Sequence, residues 1–150
     1  MAGRWFEQFV EGEVIVHDTR RTVTETDNVL FTTLSMNPAA IHLDHDYSSR
    51  TEFGKPLMNS VFTLGLVVGL TIADTTLGTT VGNLGFEEVK YPRPVFAGDT
   101  IHSETTILAK RESKSRPTQG IVTFLHRGLN QRDEVVCECR RLALMMKAPA

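Results

Sequence analysis

The sequence predicts a single α+β domain over residues 1–150, in which a curved antiparallel sheet wraps around one central hydrophobic helix. Three observations lead to this fold class. Pro56 to Ala73 carries no charge, four runs rich in β-branched residues follow Gly78, and the short polar helical segments precede both. Hydrophobic residues make up 41% of the 150 positions and charged residues 23%, which is ordinary for a chain that buries a real core.

Glu13 to Val23 supplies early strand material. Thr24 to Leu34 reads as a short helix, capped by Thr24 or Thr26 and with acidic residues in its first turn. A loop runs through Pro38, and Asp44 to Arg50 forms a further helical turn. Asn59 or Ser60 is the natural N-cap for the charge-free helix. Its strongly apolar part, Val61 to Ala73, includes Thr63 and Thr71 and falls short of the roughly 20 apolar residues that span a bilayer, so it reads as a buried helix and no membrane partner is expected. The strands follow at Thr79 to Tyr91, Thr100 to Leu108, Gly120 to Leu129 and Glu134 to Met145. Ile101, Ser103, Thr105 and Ile107 share one face of the second, and Gln131 to Asp133 turns the last hairpin. Gly82 and Gly85 lack the frame of a phosphate loop and mark a bulge or a close approach within the first.

A helix that is apolar around most of its circumference needs cover on most sides, and one curved sheet covers only part of it. A second copy would cover the sheet edge, so a homodimer or higher homo-oligomer is expected. The net charge of −2 speaks against a nucleic-acid surface. Met1 to Phe6 has no apolar core of a secretory signal. Cys137 and Cys139, at i and i+2 of a strand, would form a strained bridge and read as reduced thiols, which makes the cytoplasm the expected compartment.

The chemistry-bearing residues lie just before the buried helix, from Ser35 to Tyr47. Asn37, His42 and Asp44 here, followed by Phe53-Gly54-Lys55-Pro56-Leu57-Met58-Asn59-Ser60, resemble without gaps the hydratase motif of the MaoC-like and R-specific enoyl-CoA hydratases, Asp-x-Asn-Pro-x-His-x-Asp and then Phe-Gly-x-x-Ile-x-His-Gly. Pro94-Val95-Phe96-Ala97-Gly98-Asp99-Thr100 is similar to the family's Pro-Val-x-x-Gly-Asp-Thr stretch. The resemblance implies the hot-dog fold and an acyl-CoA hydratase or dehydratase acting across a 2,3-double bond. CoA would be part of the substrate, with no separate cofactor.

By the same resemblance His42 is the catalytic base, Asn37 takes the place of the usual Asp, and the Ser60 amide is the oxyanion donor for the thioester carbonyl. Free N–H groups and the dipole at a helix N-terminus suit that last role. The substitutions of Asn37 for Asp, Ala39-Ala40 for Asn-Pro and Asn59-Ser60 for His-Gly set this chain apart from the motif. A neutral amide at Asn37 suits a substrate that carries its own carboxylate, as mesaconyl- and itaconyl-CoA do, and Arg50 or Lys55 would then hold that carboxylate. If Asn37→Asp leaves the preference between dicarboxylic and plain acyl-CoA substrates unchanged, that idea fails.

Arg93, Lys114 and Arg116 are the candidates for the CoA phosphates, although a basic run such as Lys110 to Arg116 is also an ordinary solvated strand end. His42, Asp44, His45 and Asp46 invite a metal, but no second group with ligand spacing accompanies them, and no metal is expected. Two other functions fit the same fold. One is a thioesterase, whose usual acid on the buried helix is absent, since the first carboxylate after Pro56 is Asp74. The other is an inactive acyl-CoA-binding module, which the missing Asp would favour.

Overall fold

The computed structural model describes residues 3–149. The chain opens on a 3-10 turn at Phe6–Gln8 and two short strands, β1 (Val14–Val16) and β2 (Arg21–Thr22). Helices α1 (Glu25–Leu34), α2 (Ala40–Leu43), α3 (His45–Ser49), α4 (Ser60–Gly69) and α5 (Ile72–Thr75) follow. Four long strands complete it: β3 (Thr80–Lys90), β4 (Thr100–Glu112), β5 (Gln119–Leu129) and β6 (Val135–Met146). The antiparallel sheet has the order β1-β4-β5-β6-β3, with β2 also paired to β4. The sheet curls around α4, the hot-dog arrangement implied by the motifs.

The expected caps form. The Thr24 hydroxyl accepts from the Asp27 amide at 3.2 Å while the Asp27 carboxylate accepts from the Thr24 amide at 2.8 Å, a reciprocal box that starts α1. Asn59 rather than Ser60 caps α4, accepting from the Val61 amide at 3.0 Å. The early strand is two pieces, β1 and β2, and His17, just past β1, is buried like Ile15 and donates its amide to the Ser103 carbonyl at 3.1 Å. The apolar helix is also two pieces: both the amide and the hydroxyl of Thr71 bond back to the Val68 carbonyl, at 3.0 and 2.8 Å, and this ends α4 before α5 begins.

Alternation on the strands puts Ile101, Ser103, Thr105 and Ile107 inward, as their pattern predicts. Inward residues form two apolar clusters. Phe6, Phe9, Ile107, Val122, Phe124 and Met145 fill one end; Val23, Met58, Val67, Val95, Ile101 and Val136 fill the other, beneath α4. A Cβ on Gly128 would stand 2.2 Å from Val67, so glycine is what lets α4 approach β5 this closely. Register shifts around Gly82 and Gly85 are the bulges read from those glycines. Cys137 and Cys139 are free and buried, as their spacing implies.

The helix is covered less completely than its apolarity suggests. Thr63 and Val67 are buried, but Val61 is 58% exposed. β3 pairs with β6 on one side only, and Val81, Leu84 and Phe86 lie exposed along this edge strand.

Candidate active site

The loop carrying His42 is tied to the strap that leads into α4. Leu57 donates its amide to the Ile41 carbonyl at 3.0 Å, and its own carbonyl accepts from His42 Nδ1 at 2.7 Å. A carbonyl can only accept, so Nδ1 carries the proton, and in the neutral ring Nε2 keeps its lone pair. Nε2 has no hydrogen-bond partner among the described residues, and the half-buried ring is therefore oriented as a base.

One buried residue organises this junction. Asn28, on the inner face of α1, donates Nδ2 to the His42 and Leu57 carbonyls, both at 3.0 Å, and accepts the Asn59 amide on Oδ1 at 2.9 Å. It thereby sets both the histidine loop and the start of α4. The sequence reading missed it; a lone polar residue at an inward position of α1 was the available signal.

Asn59 Oδ1 accepts from Val61, and the Ser60 amide at the first turn of α4 has no acceptor among the described residues. Ser60 is exposed and lines a small cleft with Met58, Thr63, Tyr91, Arg93 and Val136. Burial raises the Tyr91 phenol above its usual value, so it stays protonated beside Ser60. Asn37 stands after Met36, whose positive φ of 57° ends α1, and Asn37 Oδ1 accepts the Ala39 amide at 2.9 Å. The oxygen shapes the turn into α2, and the Nδ2 donors remain available.

The other candidate residues disperse. Arg93 reaches the Ser60 cleft, where its Nε lies 3.4 Å from Glu134. Lys114 and Arg116 occupy the β4–β5 turn, whereas Ser60 lies near Val136 at the opposite end of β6, so one protomer does not bring these two cations to the site. Arg50 pairs with Asp46 on the surface at 2.5 Å, and Lys55 stands 4.5 Å over the Phe96 ring. Arg50 is thus engaged within its own helical turn, and Lys55 by a ring from the loop that leads into β4. Within the polar cluster Asp44 caps α3 by accepting the Tyr47 amide at 2.9 Å, and His45 meets Glu25. His42 turns the other way, to Leu57. Asp74 is held by His17 Nδ1 at 2.8 Å, in α5 beyond the far end of α4 from Ser60.

Among the described residues no helix is long and apolar enough to cross a membrane. A family model described as "MaoC like domain" matches residues 7–128. The mesaconyl-CoA hydratase of Cereibacter sphaeroides is 32% identical over 97% of this chain, which covers 42% of that protein. The beta-methylmalyl-CoA dehydratase of Chloroflexus aurantiacus is 32% identical over 97% of this chain and is covered over 41% of its length. The chain thus spans about two-fifths of these curated relatives (42% and 41%). Among solved structures, a MaoC-like dehydratase from Rhodospirillum rubrum superposes with a TM-score of 0.85 at 29% identity, covering 99% of this chain and 100% of that one.

Proposed function

Since this chain belongs to the MaoC-like domain family, we propose that it hydrates or dehydrates an acyl-CoA thioester across the 2,3-double bond. The observation that carries this reading is a histidine fixed by Leu57 and, joined to it through Asn28, the N-terminus of α4, where His42 Nε2 and the Ser60 amide have no partner among the described residues. In hydration, His42 Nε2 takes a proton from water as the oxygen bonds to C3. The electron pair of the double bond moves toward the thioester carbonyl, whose growing negative charge the Ser60 amide and the helix dipole stabilise. A proton then adds to C2, and the histidine gives its proton up to restore the starting state. The Asn37 amide donates to the attacking water and holds it over C3. Arg93, at the mouth of the Ser60 cleft, is the cation suited to CoA, and no separate cofactor enters the scheme.

The Cereibacter and Chloroflexus relatives carry the names of dicarboxylic CoA esters, which favours a substrate with its own carboxylate. The protein works in the cytoplasm, where acyl-CoA esters are available, and as a homodimer. The exposed Val81, Leu84 and Phe86 on the long edge strand β3 support this pairing. Leu84→Lys should then shift the mass in light scattering from dimer to monomer.

The deciding experiment compares crotonyl-, mesaconyl- and itaconyl-CoA with wild type and His42→Ala. Loss of the double-bond absorbance with wild type alone is expected, fastest on mesaconyl-CoA. Release of free CoA instead would make the protein a thioesterase. Tight binding without turnover would make it a binding module.

A further inference from the structure

Between the two apolar clusters the inner face of the sheet carries a polar band with no role in the scheme above. It consists of Ser103 and Thr105 on β4, His126 on β5, and Cys139 and Arg141 on β6, with His17 reaching in from the β1–β2 connection. Three of these six are linked to one another. Asp74 accepts from His17 Nδ1, His17 Nε2 meets the Thr105 hydroxyl, and that hydroxyl meets His126 Nδ1, each at 2.8 Å. The chain then stops at unpartnered atoms. His126, 0% exposed, has no partner for Nε2, and Arg141, 4% exposed, has none for Nε or Nη1 among the described residues. Phe124 holds the two together: its ring stacks on His126 with centroids 5.4 Å apart and lies 6.0 Å from the Arg141 guanidinium.

A buried guanidinium without an acceptor is among the least favourable arrangements a core can hold. It persists where something fills its fork in the working protein. The imidazole beside it can adapt to an anion. With Thr105 donating to His17, His126 keeps its proton on Nδ1 and presents a bare Nε2. Turning the hydroxyl round lets it donate to His126 Nδ1, and the other tautomer of His126 then presents Nε2–H.

The band also has a defined place relative to the site. Val136 and Tyr91 line the Ser60 cleft, and Tyr91 neighbours Cys137 and Cys139. Arg141 follows Cys139 on the same face, about 7 Å further along the strand. We propose that Arg141, with His126, is the seat of a second, terminal carboxylate on the acyl group, in place of Arg50 or Lys55. The inference rests on the acyl-CoA reading above and adds the residues that select its substrate.

The test uses saturated thioesters, so that it does not depend on turnover. Succinyl-CoA and butyryl-CoA have the same chain length and differ in a terminal carboxylate against a methyl. Calorimetric titration of the full chain should show succinyl-CoA bound roughly tenfold to a hundredfold more tightly, the range of a charge-assisted hydrogen-bonded pair. Arg141→Met should abolish that preference, leave butyryl-CoA affinity unchanged, and raise the melting temperature of the free protein, because an unpaired buried charge is gone. His126→Phe, which keeps the stack on Phe124, should reduce the preference less. Equal binding of the two thioesters by wild type overturns the proposal. So does an Arg141→Met protein that melts lower and loses its dimer while keeping the preference, since the guanidinium would then serve the subunit interface. A failed hydration assay alongside an Arg141-dependent succinyl-CoA preference would sink the hydratase reading and leave the carboxylate seat standing.

Discussion

Two buried polar networks cross this small core, and they end differently. The network of Asn28 closes on itself: two carbonyls and one amide meet its side chain at 2.9 to 3.0 Å, and none of its polar atoms is left over. The network of Asp74, His17, Thr105 and His126 runs inward from a half-exposed carboxylate and ends beside an arginine with two unpartnered nitrogens. A closed network fixes geometry, and here it fixes the ring of His42. An open one leaves interaction energy unspent, which a ligand of opposite charge can recover.

The comparison can be broken at several points. The largest effect should come from His42→Ala, the group that the closed network positions. Its kcat should fall by about 10²–10⁴-fold, the usual weight of a general base, while the melting temperature moves little. Unaltered turnover would mean that the network holds a structural histidine.

Asn28→Leu opens the closed network and strands two carbonyls and an amide in the interior. Urea unfolding at pH 7 should show a loss of about 2–5 kcal/mol, and the residual activity should fall with it. If stability is kept, the Asn28 bonds are not what hold the junction.

The open network should be sensitive to acid. Burial, and secondarily the Arg141 charge, push His126 down to about 3 from the ordinary 6.5. Below pH 6.5 the unfolded chain binds a proton there that the folded protein refuses, so stability falls as pH drops toward 3. Between pH 7 and 5 this amounts to roughly 2 kcal/mol. His126→Gln should flatten that part of the stability–pH curve, and an unchanged slope would place the acid sensitivity elsewhere. Smallest is Asn59→Ala, which removes the cap of α4 and should cost about 1 kcal/mol in thermal unfolding.

Much of this was open to reading in the linear chain. The four long strands, the capped α1, the Asn59 cap and the bulged glycines of β3 follow from local rules, because periodicity, capping oxygens and the lack of a Cβ act within a few residues. The motif from Asn37 to Ser60 likewise marked the histidine and the helix start. Three things were hidden. The helix break at Thr71 depends on a hydroxyl turning back on its own backbone. Asn28 looks like any polar residue of an amphipathic helix until its partners, 14 to 31 positions away, fold against it. Lys55 looked free because Phe96, 41 positions on, comes beside it only in the folded chain.

By itself the sequence determined the element order, the apolar helix at the centre and where the family's motif falls, all of which rest on patterns within a short window. Tertiary structure alone decided which cations are free. Arg141 reads as an unremarkable charge on a strand, yet the register of β6 turns it inward between Phe124 and Cys139, where Nε and Nη1 are buried and no carboxylate among the described residues pairs with them. Burial and pairing are properties of residues brought together from distant parts of the chain, so they exist only once the sheet has closed around the helix.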